Sequence, residues 1–270
     1  MEKCFSQIPY KMTTLYSSKI ESLPLVATGK VRDVYAVGND HLLMIATDRL
    51  SAFDVVMNEP VPNKGEILNR ISNYWFLELD SIIPNHLTKI DACSVVKPAE
   101  MIQVHKRAVV VKRLRPIRVE SVVRGYLAGS AWKEYQTYGT VAGVWMPTFL
   151  QFAEKLPEPI FSPAIKEAGG FHDVNITYAE LEDFIGKKRA AEIRDVSIKL
   201  YQSANTIALE KGMILADTKF EYGLDDRDEL VLMDEILTPD SSRYWSLDDY
   251  QIGKPIFSFD KQIFRDWLES

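Results

Sequence analysis

Hydrophobic residues recur at two different periods along this chain, and the two periods predict where strands and helices lie. The runs LPLVATGKVRDVYAV (residues 23–37) and HLLMIATD (residues 41–48) are typical of strands, and Gly38-Asn39-Asp40 between them predicts a hairpin turn. The stretch GEILNRISNYWFLEL (residues 65–79) instead repeats its apolar residues at helical spacing. The first part of the chain is therefore predicted to mix strands with a helix.

A change in pattern near Arg115 predicts a division of the chain into two lobes. The run from Ala108 is β-rich as far as Pro116, where we expect the chain to cross to its second half. This gives a β-rich N-terminal lobe over residues 1–115 and an α+β C-terminal lobe over residues 116–270. Strands and helices come in mixed order with at least two hairpins, so we predict an α+β fold rather than a doubly wound parallel sheet.

Several helix ends in the second half are marked by their residues. Thr177 and Glu180 form a capping-box pattern, and a longer helix is predicted over residues 187–211, ending at Gly212. Ser130 is expected to cap a helix over residues 131–139, because serine accepts hydrogen bonds from the free amides of a first turn.

Two further segments complete the predicted organisation. Three prolines, followed by Gly169-Gly170, predict a long loop over residues 157–175. A last amphipathic helix is expected to follow Asp260.

Charged residues interrupt the strand-like stretch LADTKFEYG (residues 215–223). Side chains alternate along a strand, so Asp217, Lys219 and Glu221 share one face and the residues between them take the other. The following run, LVLMDEI (residues 230–236), predicts a partner strand. A register that brings Asp234 to the charged face also brings Leu230 and Leu232 there and points Glu235 away.

This charged face has two interpretations that the pattern leaves open. It is either a solvated hairpin face or the floor of an enclosed site. Two carboxylates about 4 Å apart repel by roughly 4 kcal/mol at an intermediate dielectric and by about 1 kcal/mol in water, so an enclosed face needs a cation. One or two carboxylates completed by water and phosphate describe a magnesium site. Lys219 would then bind a phosphate.

Two other stretches are candidates for binding anions. In TGKVRDVY (residues 28–35), Gly29 permits close approach of the backbone, and Lys30 and Arg32 share one face, so a hairpin could lay both cations over a polyphosphate. Arg124 precedes Ser130 by six residues, and a helix start with an arginine makes a phosphate site. Each pattern is also typical of an ordinary strand face or helix cap. Neither a P-loop nor a GxGxxG motif occurs.

Composition and charge narrow the class of protein. Hydrophobic residues make up 46% of the 270 residues and charged residues 26%, which are globular values. The net charge of -6 argues against a general affinity for nucleic acid or anionic membranes. Two cysteines and four scattered histidines provide neither a disulfide framework nor a zinc motif, and no signal-peptide or membrane-span pattern is present, so a cytoplasmic location is expected.

Six motifs together resemble one known family. GKVRDVY, ATDRLSAFD, RVESVVRGYLAGS, FSPAIKEAGGFHD, LADTKFEYG and MDEILTPDSSRYW follow the order and approximate spacing of the SAICAR synthetase (phosphoribosylaminoimidazole-succinocarboxamide synthase) family, from about residue 25 to the end. The resemblance implies a two-lobed α+β fold related to ATP-grasp enzymes, with mostly antiparallel sheets, flanking helices and ATP in the cleft between the lobes.

The resemblance also implies an activity. Members of this family join a carboxylated aminoimidazole ribonucleotide to L-aspartate with ATP, through an acyl phosphate, to give SAICAR, ADP and phosphate in purine biosynthesis. Magnesium is the implied cofactor, and the implied partners are these small molecules rather than nucleic acid or membrane. Oligomeric state is not predicted.

The resemblance assigns roles to individual residues. The residues implied to bind ATP are Gly29, Lys30, Val31, Arg32, Lys112, Leu114, Glu120 and Lys219. Those implied to bind the other substrates are Arg124, Ser130, Arg243, Lys166, Asp173, Asp48, Ser51 and Asp54. Glu221 and Asp234 match the magnesium carboxylates, and Asp240 is expected to link the metal to the substrate phosphate. Lys219 is the implied catalytic lysine, with Asp173 or Asp217 as the base for the aspartate amine.

Two alternative functions would use some of the same residues. A small-molecule kinase with a similar ATP site would also need Lys30, Glu221 and Asp234, but not two separate anion sites. A non-catalytic nucleotide-binding protein would show no turnover, so Asp234→Asn would leave the measured activity unchanged.

Overall fold

The computed structural model describes residues 14–166 and 174–270, in which helices and antiparallel strands alternate irregularly along the chain. The predicted α+β class is confirmed. The chain forms two compact units: one contains the described residues as far as Asn73 together with His86–Arg113, and the other contains Tyr74–Asn85 and the described residues from Leu114 onward. The lobes expected over residues 1–115 and 116–270 stay a prediction.

The strands, numbered in chain order, are β1 (Leu25–Thr28), β2 (Arg32–Val37), β3 (His41–Ala46), β4 (Ser51–Ala52), β5 (Val55–Val56), β6 (Ala108–Lys112), β7 (Arg115–Pro116), β8 (Val119–Tyr126), β9 (Thr140–Val141), β10 (Val144–Trp145), β11 (Lys155–Ile165), β12 (Val174–Asn175), β13 (Met213–Leu224), β14 (Leu230–Met233) and β15 (Ser242–Ser246). The α-helices are α1 (Lys64–Glu78), α2 (Met101–Val104), α3 (Gly129–Tyr138), α4 (Tyr178–Ile185), α5 (Lys187–Glu210) and α6 (Gln262–Glu269). Two 3₁₀ turns lie at Ala92–Val95 and Pro98–Glu100.

The first unit is organised around a four-stranded antiparallel sheet with the order β1-β2-β3-β6. Strands β2 and β3 pair continuously, and Gly38 between them has φ +61°, which confirms the predicted hairpin. Alternate residues of the sheet, including Tyr35, Leu43 and Val110, are buried and pack with Val104 of α2 in one apolar cluster. The hairpin of β1 and β2 is the exposed end of this sheet, since every residue of β1 is exposed.

The second unit is organised around β13, the central strand of its seven-stranded sheet. Helix α5, which confirms the helix predicted over residues 187–211, buries its apolar stripe toward β13. The Ser197 and Tyr222 hydroxyls lie 2.8 Å apart, and the Tyr201 hydroxyl donates to Leu215 O at 2.7 Å. Gly125 permits this packing, because an added Cβ would lie 1.8 Å from the Tyr201 hydroxyl.

The long loop predicted over residues 157–175 is wrong for its first half, which belongs to strand β11, and for its last two residues, which form β12. The pairing of β11 with β8 is interrupted between Lys155 and Ile160, so Pro157 and Pro159 lie where no ladder hydrogen bond is required of them. Pro163 lies within the ladder, opposite Ser121. Residues 167–173 are outside the described part of the chain.

The helix signals predicted for α4, α1 and α6 agree with the structure. Thr177 accepts from Glu180 N at 3.2 Å and Glu180 accepts from Thr177 N at 2.7 Å, which confirms the capping box at α4. Helices α1 and α6 confirm the predictions over residues 65–79 and after Asp260. Within residues 14–166 and 174–270, none of the helices has the length and apolar character that crossing a membrane requires.

Candidate functional site

Strand β13 places Asp217 between two arginines. Asp217 lies opposite Arg124 of β8 on one side and opposite Arg243 of β15 on the other. Residues that lie opposite each other in an antiparallel sheet share a face, and neighbouring strands are about 4.8 Å apart, so the three side chains form a row across the sheet. Arg243 Nη1 lies 2.5 Å from Asp217 Oδ2, and Arg124 Nη1 lies 3.6 Å from the same oxygen.

This row carries more positive than negative charge. Asp217 and Arg124 are almost fully buried, at 4% and 6% exposure. Burial lowers the pKa of Arg124 and Asp217 opposes that effect, while Asp217 raises the pKa of Arg243. Arginine keeps its charge in proteins, so two guanidinium groups surround a single carboxylate. The carboxylates of Glu134 and Asp260 also act on Arg124 and Arg243, so it is the donor geometry of the two guanidinium groups that suits an anion with several oxygens.

The start of α3 lies against the same arginines. Gly129 has φ +55°, and an added Cβ would lie 2.5 Å from Arg243 Nη2, so glycine permits both the backbone turn and the close approach of the guanidinium. The prediction that Ser130 caps the helix is wrong, because the chain enters α3 earlier and Ala128 is the N-cap residue. Ser130 lies in the first turn instead, where its hydroxyl accepts from Arg124 Nη2 at 3.2 Å.

Lys219 continues the charged face two residues along β13. It lies opposite Val122, and its ammonium group donates to Glu120 Oε1 at 2.7 Å. Glu120 is 7% exposed, whereas the Lys219 side chain is 37% exposed. Lys219 is therefore oriented by a buried carboxylate and remains accessible to a ligand.

Glu221 is a partly buried carboxylate, with its side chain 17% exposed, and its pKa is raised. Burial, followed by repulsion from Asp234, raises its pKa from 4.5 to about 7, and the charge of Lys166 opposes this rise. Lys166 Nζ lies 2.5 Å from Glu221 Oε1. The structure therefore brings Glu221, Asp234 and Lys166 together.

The register that joins β13 to β14 differs from the predicted one. Glu221 lies opposite Met233, and Leu232 lies opposite Tyr222, so Leu230 and Leu232 share the apolar face rather than the charged one. Asp234 follows the strand with φ +67°, a left-handed conformation that takes it out of the strand alternation. Asp234 reaches Glu221 through this turn and not through the ladder.

The carboxylates of Glu221 and Asp234 suit a hard cation. Among the described residues, no group of three or more His, Cys, Asp or Glu side chains is arranged to hold a metal ion. Mg²⁺ is commonly held by one or two carboxylates together with water and phosphate oxygens, so a pair of oxygen donors fits it. Burial is the larger cause of the raised pKa of Glu221, and repulsion from Asp234 adds to it; a bound cation would relieve that repulsion.

Of two other predicted residues, one is paired with a lysine and one lies outside the described residues. Asp240 Oδ1 lies 3.7 Å from the Nζ atom of Lys261, which is the residue before α6. Asp173 lies outside the described residues.

In the first unit, the predicted ATP-binding residues Gly29, Lys30, Val31 and Arg32 form the tip of the β1–β2 hairpin and the start of β2. Lys30 is paired with Asp54, which lies with Phe53 in the turn between β4 and β5. Both turn residues have positive φ, 49° at Phe53 and 61° at Asp54, which matches a two-residue hairpin turn of the primed type. The segment therefore brings Lys30 and Asp54 together.

Of the remaining predicted residues in the first unit, Asp48 and Ser51 are buried. Asp48 accepts from Leu15 N at 2.7 Å and Gly65 N at 2.8 Å, and it lies 3.0 Å from Arg107 Nη1. These partners indicate that Asp48 holds its loop in place. Lys112 is exposed at the end of β6.

Leu114, which belongs to the second unit, lies against Gly223, where an added Cβ would be 2.8 Å from Leu114 Cβ.

Sequence reasoning missed a buried ion pair in the first unit. Arg49 Nη2 lies 2.7 Å from Asp33 Oδ1, with side-chain exposures of 5% and 2%. Both residues fall within motifs quoted above, GKVRDVY and ATDRLSAFD. The only local signal was charge beside apolar strands, which does not distinguish a buried arginine from a surface one.

Comparison with known proteins gives consistent matches. A family model described as SAICAR synthetase matches residues 25–270. A phosphoribosylaminoimidazole-succinocarboxamide synthase of Cupriavidus metallidurans is 59% identical over 256 residues, which cover 95% of this chain and 85% of the relative. One from Bordetella pertussis is 54% identical over 258 residues, covering 96% of this chain and 88% of the relative.

Solved structures agree. The SAICAR synthase from Saccharomyces cerevisiae complexed with SAICAR has a TM-score of 0.87 and 40% identity, covering 96% of this chain and 87% of that one. A SAICAR synthetase in complex with ADP has a TM-score of 0.72 and 26% identity, covering 88% of this chain and 89% of that one.

Proposed function

Because this chain belongs to the SAICAR synthetase family, we propose that the charged face of β13 binds the reactants of an ATP-dependent carbon–nitrogen ligase. The enzyme forms SAICAR in purine biosynthesis. Its substrates are small molecules: ATP, a carboxylated aminoimidazole ribonucleotide and L-aspartate. The residue roles, the metal and the order of bond changes that follow belong to the proposal, as does a cytoplasmic location.

The arginine row is assigned to the phosphate of the imidazole ribonucleotide. Arg124 and Arg243 offer planar donor groups that match phosphate oxygens, and Ser130 adds a hydroxyl at the start of α3. Asp217 Oδ2 is engaged by both arginines, so its proposed role is to orient them. The role of proton acceptor for the aspartate amine then falls to Asp173.

Lys219, Glu221 and Asp234 are assigned to the phosphates of ATP. Glu221 and Asp234 would hold Mg²⁺, which when bound supplies charge neutralisation at phosphate oxygens. Lys219, held by Glu120, places an ammonium group two residues from Glu221 on the same face. Gly29, Lys30, Val31 and Arg32 are also assigned to binding ATP, as are Lys112 and Leu114.

The chemistry requires positioning and charge more than a protein nucleophile. A carboxylate is a poor electrophile, so the imidazole carboxylate attacks the terminal phosphorus of ATP, ADP leaves, and an acyl phosphate forms. The amine of aspartate then attacks the acyl carbon, and inorganic phosphate leaves as the amide forms. Lysine and arginine side chains stabilise the negative charge that moves during the first step.

One observation carries the proposal: a single strand presents on one face both Asp217, between two arginines, and Glu221, which Asp234 approaches from the turn after β14. A simple kinase needs the second site but not a dedicated site for a sugar phosphate. The test is to measure release of ADP and phosphate with each substrate omitted in turn. We expect turnover only when ATP, the imidazole ribonucleotide and aspartate are all present, with SAICAR identified by mass. Turnover without aspartate that gives a stable phosphorylated product would contradict the ligase assignment.

A further inference from the structure

The tip of the β1–β2 hairpin is held by a buried arginine that no assigned role explains. The guanidinium of Arg49 donates to Gly29 O at 2.9 Å and to Lys30 O at 3.0 Å. Thr47, two residues earlier, donates to Val31 O through its amide at 3.0 Å and through its hydroxyl at 2.8 Å. Three consecutive carbonyl groups of the tip are therefore fixed by one short segment.

Arg49 is itself fixed on its other side. It donates to Asp33 Oδ1 at 2.7 Å and to Tyr16 O at 2.7 Å. Asp33 Oδ2 accepts from both the amide and the hydroxyl of Ser18 at 2.8 Å. A buried charge is stable only when it is paired and hydrogen-bonded, and here both members of the pair meet that condition.

Apart from these bonds to its carbonyl groups, the tip is restrained by the pairing of the Lys30 side chain with Asp54. Gly29 and Lys30 are exposed, and Gly29 N donates to Arg32 O at 2.7 Å as the closing bond of the hairpin. The three residues between β1 and β2 begin at glycine, and such a turn samples many conformations unless its carbonyl groups are bound. The planar guanidinium of Arg49 donates to two of these carbonyls and to Asp33 at the same time. A lysine ammonium lacks this fork of N–H groups in one plane.

We propose that Arg49 is a positioning residue that fixes the hairpin tip in the conformation that binds the phosphates of ATP. This inference rests on the proposed function, because it takes the tip as a nucleotide-binding element. Arg49 makes no contact with the nucleotide in this scheme. It acts through Gly29 and Lys30, and the Asp33 pair holds it in place.

The decisive variant is Arg49→Lys, which keeps the positive charge and the pairing with Asp33 but loses the fork. Amide hydrogen exchange at Gly29 in the nucleotide-free protein should become about tenfold faster or more, because bonds to a charged donor are lost. The dissociation constant for ATP, measured by calorimetry, should rise by about tenfold. The KM for ATP should rise more than the KM for aspartate, with a smaller change in kcat.

Val104→Ala is the matched control, because Val104 is fully buried in the core of the same unit and its apolar cluster contains none of the tip residues. It should lower the melting temperature without changing ATP affinity. Thr47→Val is a milder second variant, which removes one of the two bonds to Val31 O and should raise the ATP dissociation constant by about threefold. It serves if Arg49→Lys does not fold.

The outcomes separate this inference from the proposed function. Wild-type ATP affinity in Arg49→Lys, or in Thr47→Val when only that variant folds, overturns the inference. An equal loss of ATP affinity in Val104→Ala also overturns it, because the effect would then be general destabilisation. A wild-type protein that binds ATP but forms no SAICAR contradicts the proposed function alone, since the comparison of ATP affinities still stands.

Discussion

Replacing Glu221 with glutamine should make the folded protein more stable at alkaline pH while it removes a proposed metal ligand. Burial and Asp234 raise the pKa of Glu221 to about 7, so the folded state holds this proton more tightly than the unfolded chain does. Between about pH 4.5 and about pH 7 the unfolded state has already lost the proton while the folded state keeps it. The free energy of unfolding therefore falls as pH rises through this window. The full loss of stability persists at higher pH.

The magnitude follows from the two pKa values. The rise from 4.5 to about 7 corresponds to roughly 3 kcal/mol, since each tenfold change in proton affinity is worth about 1.4 kcal/mol. Glutamine has a similar shape and carries no charge, so the Glu221→Gln variant does not lose this stability as pH rises. From about pH 4.5 to about pH 8, the difference in free energy of unfolding between the variant and the wild type should change by about 3 kcal/mol in favour of the variant.

The assay is chemical denaturation in buffer without divalent metal, at several pH values across this range. Two companion variants should move the profile in opposite directions. Asp234→Asn removes a repulsion and lowers the pKa of Glu221, whereas Lys166→Met removes an attraction and raises it. Parallel pH profiles for the wild type and Glu221→Gln would refute the reasoning, because the carboxylate would then ionise at its ordinary pKa.

Three further variants test the proposed site. Asp234→Asn should abolish magnesium-dependent turnover and leave the circular dichroism spectrum unchanged, and retained turnover would contradict the metal assignment. Asp217→Asn leaves two guanidinium groups without their carboxylate, so thermal unfolding should show a loss of about 3–5 kcal/mol; a loss below about 1 kcal/mol would show that the pair is not effectively buried. Gly129→Ala should displace Arg243 and raise the KM for the imidazole ribonucleotide by about tenfold, with ATP affinity as the internal control.

Local patterns in the sequence predicted most of the helices. Apolar spacing and end signals were sufficient for α1, α4 and α5, because a helix contains its own hydrogen bonds and its ends depend on adjacent residues. The prolines of β11 were misleading for the opposite reason. Whether proline breaks a strand depends on the partner strand, and the interruption opposite Pro157 and Pro159 is not encoded locally.

The candidate site also combines features that local patterns predicted with features that they could not predict. Alternation predicted that Asp217, Lys219 and Glu221 share a face, and the pairing with β8 and β15 is consistent with it. The register of β14 could not be predicted, because the left-handed conformation of Asp234 falls outside strand alternation. The fork of Arg49 on Gly29 and Lys30 joins residues about 20 positions apart, and no periodicity marks such a contact.

Strand β13 carries both Asp217 and Glu221, and it fixes the distance between them. The two residues are four positions apart on one face, which at about 3.3 Å per residue separates their Cα atoms by about 13 Å. Insertion or deletion of one residue between them would turn one of the two toward the face that packs on α5. In the proposed site, the strand would therefore select ligands by the distance between their charged ends, a discrimination that neither charged cluster would provide alone.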